Sequence, residues 1–266
     1  MISDCLYAGH ATVLAREACE PVVVAVGGDG TISEVMDGAL QSPIPKTMGV
    51  LYAGTSPDFC RFHRIPFSNP AAALDVLLQA HTRTIDAVRM TRTDSPTAHF
   101  ACGCNVGLGA RVAAFANAHR RHLGDAPGTA LGLLLAVLNQ QRFTAHLMLD
   151  GAPFTFTGVN HILILKNPHI ASGLKLNLPR TPDDGHLTVL VLHGLSRLAL
   201  LRLIPAFYSG HAVNNPALFR RNCQTLTLVT EPRQAVEVDG DPRGETPFEI
   251  QLLPRVLPLI CEANHA

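Results

Sequence analysis

The segment VVVAVGGDGTISEVMDGAL, residues 22–40, constrains the fold more than any other part of the chain. Its apolar start, Val22–Val26, has no polar alternation, which is typical of a strand buried on both faces. Thr31 with Glu34 three positions later matches a capping box, so we predict a helix from Thr31 to Leu40. A strand that leads through glycines into a helix leaves backbone N–H groups free, which favours an anion site.

The next segments repeat this order. TMGVLYAG at 47–54 is a second predicted buried strand, and PAAALDVLLQA at 70–80 is a predicted helix with proline at its start. GHATVLAREAC at 9–19 has apolar residues at helical spacing. Alternating strands and helices predict a parallel sheet with crossovers. We therefore predict an α/β nucleotide-binding domain of the Rossmann-like kind over residues 1–86.

From about residue 84 the pattern changes to strands separated by turn signals. The turn signals are Asp150-Gly151, Asp184-Gly185 and Asp239-Gly240. Helical patterns interrupt the strands at about 108–140 and 196–208. We predict a mostly antiparallel, β-rich second domain over 87–266, whose last residues pack back on the first domain. The predicted strands are TIDAVRMT, AHFACGCNVG, RFTAHLML, FTFTGVNHILILK, HLTVLVLH, TLTLVT and AVEVDG.

Composition narrows the class of protein. Lys and Arg together number 21, and so do Asp and Glu, which gives no reason to expect a nucleic acid partner. Seven scattered cysteines predict a reducing, cytoplasmic environment, and the histidines form no zinc motif. No apolar run approaches the roughly 20 residues of a membrane span, and MISDCLYAGH predicts no signal peptide.

Asp29 is the unusual member of the glycine loop, because a carboxylate repels phosphates. It suits a site where a divalent cation lies between carboxylate and phosphates, or where it orients a hydroxyl nucleophile. A simple tight turn is the alternative, since Asp and Gly both form turns. Gly54-Thr55 and Asp58 follow the second strand, so they fall at the same sheet edge, where ligands bind. The alternative there is a helix start with Ser56 as N-cap.

These segments together resemble the diacylglycerol kinase catalytic family, which includes bacterial diacylglycerol and related lipid kinases and the sphingosine kinases. The resemblance rests on Gly-Gly-Asp-Gly-Thr followed by Gly54-Thr55-x-x-Asp58-Phe59-x-Arg61. It extends over nearly the whole chain. The further matching segments, in order, are HATVLAREA, TIDAVRM, FACGCNVGLGARV, RTPDDGHLTVLVL, YSGHAVNNP and VEVDGDPRGETP.

The resemblance implies Mg²⁺-dependent transfer of the ATP γ-phosphate to a lipid hydroxyl. It implies that Asp29, Asp58 and Asp86 organise the catalytic magnesium, and that Asp241 is the catalytic base. It also implies that Asp184 holds a structural cation with the backbone carbonyls of Thr181 and His186. Hairpin turn chemistry is the alternative for Asp184 and Asp241. The implied nucleotide-binding residues are Gly27, Gly28, Asp29, Gly30, Thr31, Ile32, Ser33 and Thr55.

The sequence also departs from the family. It lacks the family's first strand with Asn-Pro-x-(Ser/Ala)-Gly, and Cys5 stands where a threonine commonly contacts nucleotide. Pro57 replaces an asparagine and so loses its amide, while Asp241 replaces a glutamate and shortens the base by one methylene. Two alternatives therefore stand beside an active lipid kinase. One is a weakened relative that binds nucleotide or lipid, and the other is a NAD kinase-like enzyme.

The lipid site is the least defined by sequence. The apolar stretches 131–138 and 198–207 are interpreted either as an acyl groove or as core packing. Arginines at 61, 64, 120 and 121 suit anionic headgroups or simple solvation. We expect peripheral association with a membrane surface, and a homodimer stays open. Diacylglycerol, phosphatidylglycerol, sphingoid bases and undecaprenol-like alcohols all remain candidate acceptors.

Overall fold

The structure is a computed structural model that describes residues 2–112, 125–170, 174–209, 215 and 218–263. In its first part, helices alternate with strands and two strands then follow. These elements are α1 (His10–Glu17), β1 (Val22–Gly27), α2 (Asp29–Gln41), β2 (Thr47–Tyr52), α3 (Asp58–His63), α4 (Pro70–Gln79), β3 (Thr82–Arg92) and β4 (Ser95–Phe100).

The second part is rich in strands, with two helices between them. Its elements are β5 (Gly103–Gly107), α5 (Asp125–Leu138), β6 (Phe143–Leu149), β7 (Ala152–Leu165), β8 (His169–Ile170), β9 (Leu174–Lys175), β10 (Leu187–His193), α6 (Arg197–Tyr208), β11 (Leu218–Cys223), β12 (Thr225–Glu231), β13 (Ala235–Val238), β14 (Asp241–Glu245) and β15 (Phe248–Ile260). None of the helices in the described part of the chain is long and apolar enough to cross a membrane.

The predicted α/β arrangement of the first part is confirmed. β1 pairs with β2 in parallel, and β2 also pairs with β15 in parallel. Helices α1 and α2 pack against Val23 and Ala25 of β1 in one apolar cluster. The prediction that β1 is buried on both faces is wrong, because Val22, Val24 and Val26 are 46%, 41% and 63% exposed. β1 lies at the end of the sheet, and helices cover one of its faces far better than the other.

The predicted capping box at Thr31 is also wrong. Helix α2 begins two residues earlier, at Asp29, with Gly28 as its N-cap, so Thr31 lies inside the first turn. Glu34 instead accepts hydrogen bonds from the N–H groups of Gly9 (2.7 Å) and Ala11 (3.2 Å). These donors are at the N-terminus of α1, so Glu34 caps the neighbouring helix rather than its own.

The second part is antiparallel, as predicted. Two of the three turn signals form tight hairpins between paired strands, β6 with β7 and β13 with β14. In both turns the Asp and the Gly have positive φ: 48° and 78° at Asp150-Gly151, and 50° and 94° at Asp239-Gly240. Two successive positive φ angles are the requirement of the type I′ hairpin turn.

The long strand β15 was not predicted as a strand. It pairs with β12 and β3 antiparallel and with β2 in parallel, so one 13-stranded sheet runs through both parts. Pro254 and Pro258 argue against a strand in the sequence, because proline lacks the N–H group that hydrogen bonds between strands require. The strand accommodates Pro254 with a register shift between Leu253 and Leu257, whereas Pro258 is paired in register with Thr84. Residue 86, the predicted boundary, lies within β3.

Candidate functional site

Two glycine loops meet at the carboxyl ends of β1 and β2. The N–H of Ala53 donates to the carbonyl of Gly27 at 2.9 Å, which ties the two loops together. A Cβ atom at Gly54 would lie only 2.5 Å from the Cα atom of Gly28, so this position has no room for a side chain. The close approach brings the two predicted halves of the nucleotide pocket side by side.

Asp29 is the first residue of α2 and lies between these loops. Its Oδ2 atom accepts a hydrogen bond from the N–H of Asp58 at 3.2 Å, so Asp29 helps to begin α3. Its Oδ1 atom is buried and has no hydrogen-bond partner among the residues that the structure describes. Asp29 therefore has a structural task for one oxygen, while the other oxygen has no hydrogen-bond partner among the described residues.

The pKa of Asp29 is consistent with a carboxylate that has one oxygen without a hydrogen-bond partner. Burial first, and then the nearby carboxylates of Asp58 and Asp239, raise the pKa of Asp29 from 3.8 to about 7, although the N–H groups of Asp58 and Phe59 act to lower it. A buried acid with a strongly raised pKa in a loop is typical of functional sites. A cation placed beside it would restore the charged form.

The β13–β14 hairpin brings two more carboxylates to the loops. Asp241 begins β14, and its Oδ2 atom lies 3.4 Å from where a Cβ of Gly30 would be. Burial raises the pKa of Asp241, the charge of Arg243 lowers it, and Glu34 adds to the rise. The predicted base thus lies against the glycine loop, although it is distant from that loop in sequence.

Asp239 was missed by the sequence interpretation. It accepts hydrogen bonds from the N–H groups of Ala101, Cys102 and Gly103, at 3.1, 3.1 and 2.8 Å. Ser33 also donates to it, while burial raises its pKa. The Asp-Gly turn signal marked this residue, but only as a turn former. Its position shows that it fixes the hairpin against α2 and the start of β5.

The predicted nucleotide-binding residues divide into two groups. Gly27, Gly28, Asp29, Gly30 and Thr31 form the loop and the first turn of α2, and Thr55 is exposed beside them. The side chains of Ile32 and Ser33 face the protein instead, because Ile32 belongs to the core and Ser33 bonds to Asp239. These two side chains are not available to a nucleotide.

Asp58 begins α3 and is held from several directions. Ser56 Oγ donates to its Oδ2 at 3.1 Å, and Arg61 Nη1 donates to its Oδ1 at 3.2 Å. The N-cap of α3 is Pro57, which makes no side-chain cap. Asn167, a buried residue that the sequence interpretation missed, donates from Nδ2 to the Asp58 carbonyl at 2.8 Å. Its place after a long apolar strand gave no signal of this contact.

The structure separates Asp86 from the contacts of Asp29 and Asp58. Lys166 Nζ lies 2.6 Å from Asp86 and 2.7 Å from Asp184, and it joins the two carboxylates in one buried cluster. Thr181 and His186 do lie beside Asp184, as expected, but Lys166 and Arg180 supply the positive charge there. The residues present do not fit the implied structural cation, which is a correction to the sequence interpretation.

A cation fits better beside Asp29 than at Asp184, because one oxygen of Asp29 has no hydrogen-bond partner among the described residues. Magnesium prefers carboxylate oxygens and often takes its other ligands from substrate phosphates and water. The unpartnered Oδ1 atom of Asp29 meets that preference. Among the described residues, no group of three or more His, Cys, Asp and Glu side chains is arranged to hold a metal alone. Phosphate oxygens would therefore have to complete such a site.

Comparison with known proteins agrees with this arrangement. Residues 2–90 match the diacylglycerol kinase catalytic domain, and residues 103–261 match the YegS C-terminal NAD kinase beta sandwich-like domain. The chain is 23% identical over 253 residues to a diacylglycerol kinase of Staphylococcus haemolyticus, covering 93% of this chain and 74% of that protein. It is 26% identical over 238 residues to a diacylglycerol kinase of Mycobacterium tuberculosis, covering 90% and 76%.

A solved structure shares the fold. It is the crystal structure of a diacylglycerol kinase from Bacillus anthracis, with a TM-score of 0.72 and 19% identity. The match covers 97% of this chain and 83% of that one. Both family models, the named relatives and the fold agree with the resemblance seen in the motifs. The chain therefore belongs to the diacylglycerol kinase family, with the catalytic domain in its first third and the YegS C-terminal domain from residue 103 onward.

Proposed function

We propose that this protein is a lipid kinase that transfers the ATP γ-phosphate to a lipid hydroxyl in the presence of Mg²⁺. The observation that carries the proposal is the buried, unpartnered Oδ1 atom of Asp29 between two glycine loops. Backbone N–H groups at the start of α2 favour phosphate, and the glycines let it approach the main chain. Family membership supports a kinase.

Each nearby group has a task in such a transfer. Gly28 and Gly54 let the two loops approach each other closely, and Asp29 and Asp58 would hold the cation. When bound, such a cation would supply positive charge that offsets the charge developing on the transferring phosphoryl group. Asp241 would accept the proton of the attacking hydroxyl, and burial raises its pKa above the ordinary value of a carboxyl, which makes it a stronger base.

An apolar helix face supports a lipid acceptor at a membrane surface. Leu131, Leu134 and Leu138 of α5 are exposed at helical spacing. The opposite side of α5 packs through Val137 against Leu200 and Leu203 of α6. Core packing therefore accounts for one face of α5, and the exposed leucines support the acyl-contact interpretation for another face. Exposed leucines in one row suit contact with acyl chains at a bilayer surface. Residues 120 and 121, proposed for headgroups, lie outside the described residues.

Transfer of labelled phosphate from ATP tests the proposal. The acceptors are vesicles with diacylglycerol, phosphatidylglycerol, a sphingoid base or undecaprenol, and NAD in solution, each with Mg²⁺ or with EDTA. We expect a Mg²⁺-dependent product with at least one lipid. Asp29→Asn should lower the rate at least about a hundredfold, since it removes charge stabilisation of the transferring group. Asp75→Asn, an exposed carboxyl in α4, is the matched control.

The outcomes separate the alternatives. ATP binding without transfer to any acceptor would favour the weakened, binding relative, for which the proline at position 57 is the supporting observation. Turnover of NAD with no lipid product would favour the NAD kinase-like alternative. Full activity of Asp29→Asn would reduce Asp29 to the start of a helix and contradict the mechanism.

A further inference from the structure

Lys166 is a buried lysine at the junction of distant segments. It follows β7, and its side chain is 2% exposed. Its Nζ atom lies 2.6 Å from Oδ2 of Asp86 in β3 and 2.7 Å from Oδ1 of Asp184 in the turn before β10. The carbonyl oxygen of His186 is a third oxygen, at 3.5 Å. The ammonium group of Lys166 is therefore surrounded by oxygen atoms in the way that a small cation would be.

The charges of this cluster are balanced. Arg180 Nη1 donates to the other oxygen of Asp184 at 3.0 Å, so a lysine and an arginine face two carboxylates. Burial works to raise the pKa of Asp184, but the hydrogen bond and charge of Lys166, and then those of Arg180, lower it. A divalent ion added beside Lys166 would leave an excess of two positive charges, which burial makes unfavourable.

The oxygen atoms around Lys166 also have protein donors. Asp86 accepts the N–H of Gly185 at 2.8 Å on Oδ2 and the N–H of Arg255 at 2.9 Å on Oδ1. The Thr181 carbonyl accepts the N–H of Asp184 at 3.4 Å. Mg²⁺ requires near-octahedral oxygens at about 2.0–2.1 Å. A metal could enter only if the ammonium left and several of these bonds broke.

We propose that Lys166 takes the place of a structural divalent cation, so that this cluster needs no metal. The cluster joins β3, the end of β7, the turn before β10 and β15. The adjacent Asn167 donates a hydrogen bond to the Asp58 carbonyl, so the segment that carries Lys166 also contacts the start of α3. The proposal concerns metal dependence of the fold and stands whether or not the protein is a lipid kinase.

Binding of Mn²⁺ in the absence of nucleotide is the first test. Electron paramagnetic resonance counts the Mn²⁺ ions bound to the wild-type protein and to Asp184→Asn. We expect the same number for both proteins. Loss of one bound ion in Asp184→Asn would place a metal in the cluster and overturn the proposal. Asp29→Asn serves as the comparison, because it removes the carboxylate assigned to the other cation.

Thermal unfolding is the second test. In the Asp29→Asn protein, which lacks the other assigned metal ligand, the Tm should agree within about 1 °C between excess MgCl₂ and EDTA. A clear fall in EDTA that Asp184→Asn abolishes would contradict the proposal. This unfolding experiment leaves Lys166 unchanged, so it tests whether the cluster needs a metal even if variants of Lys166 fold poorly.

Substitution of Lys166 tests whether the lysine occupies a site that could hold a cation or only makes a structural contact. Lys166→Met leaves the two carboxylates without their lysine and should lower the Tm by about 10 °C. We expect Ca²⁺ to restore part of this loss in Lys166→Met but not in the double variant Lys166→Met/Asp184→Asn. A folded Lys166→Met protein that Ca²⁺ does not stabilise would show that the cluster is no cation pocket and would overturn the proposal.

Discussion

Asp29 is a buried carboxylate with one oxygen that has no hydrogen-bond partner among the described residues, a combination that is rare in stable proteins. Its carboxylate is buried at the start of a helix, where its Oδ2 atom serves α3. Its Oδ1 atom is unpartnered among the described residues, and its pKa is raised by burial and then by Asp58 and Asp239. A buried carboxylate of this kind lowers the stability of the free protein, and a bound ligand would offset that loss.

The first prediction concerns the pH dependence of this cost. Between pH 3.8 and about 7 the native Asp29 keeps a proton that the unfolded chain releases. The native state therefore loses stability as pH rises through this window, by up to about 1.4 kcal/mol per pH unit. Asp29→Asn does not titrate, so its Tm should exceed that of wild type by about 8 °C at pH 8 and converge with it near pH 4.

Calorimetry at several pH values measures this difference. Asp75→Asn, which removes one exposed negative charge, is the matched control and should follow wild type. A Tm difference between Asp29→Asn and wild type that stays constant from pH 4 to pH 8 would contradict a raised pKa.

The second prediction concerns Asp241. Asp241→Asn should lower the transfer rate about a hundredfold or more, because the amide cannot accept the hydroxyl proton. Asp241→Glu should keep or raise the rate, since it restores the length found in the family. Steady-state kinetics with the best lipid acceptor measures both. A full rate in Asp241→Asn would mean that the base lies elsewhere, and Asp239→Asn would then be the next variant.

At the scale of elements, the close packing of α1 on α2 decides where the glycine loop lies. The contact is possible because Gly38 has no side chain. A Cβ there would lie 2.2 Å from the Thr12 carbonyl oxygen and 2.8 Å from the Cβ of Ala15. Glu34 fixes the same pair of helices by capping α1. α2 carries Asp29 at its start, so this packing supports the site.

The third prediction sets two effects of Gly38→Ala against each other. Alanine improves helix propensity by about 1 kcal/mol, but here it forces two backbones apart, and overpacking costs about 1–3 kcal/mol. The clash involves a backbone carbonyl that cannot rotate away, so we expect a net loss of about 1–2 kcal/mol in the free energy of unfolding. Urea denaturation followed by circular dichroism measures it. The exposed Asp75→Ala in α4 is the control, and a more stable Gly38→Ala protein would contradict the close contact.

At the scale of the whole molecule, β15 makes the two halves one structure. It pairs with β3 along most of its length, its earlier residues also pair with β12, and Leu259 pairs with β2. Leu257 and Leu259 belong to the core of the first half, whereas Ile250 and Leu252 belong to the core of the second. A single strand therefore contributes to both cores, which couples their stabilities.

The fourth prediction is that the two halves unfold together. Leu259→Ala removes a fully buried side chain from the first core and should cost about 2–5 kcal/mol. Val256→Ala, on the same strand but 40% exposed, should cost less than about 1 kcal/mol. Calorimetry should show one transition in each protein, shifted as a whole in Leu259→Ala. Two transitions, with only one of them shifted, would mean that the halves unfold independently.

The sequence by itself determined the local and ordered features of this protein. The strand at residues 22–27, the proline at the start of α4 and two of the three Asp-Gly turns depend on neighbouring residues, so their patterns were sufficient to predict them, although the burial of β1 on both faces was not correctly predicted. The order of strands and helices implied a parallel sheet, and that sheet implied one edge where Gly28, Asp29 and Gly54 meet. Spaced motifs added the resemblance that the family comparisons support.

Only the tertiary structure decided which distant groups contact each other. Glu34 caps α1 rather than α2, Lys166 bridges Asp86 and Asp184, and Asp239 holds the hairpin against the start of β5. Each contact spans tens of residues and depends on where strands pair, and local patterns do not record strand pairing. The same reason explains β15: its prolines argue against a strand locally, but pairing with strands from both halves outweighs that local penalty.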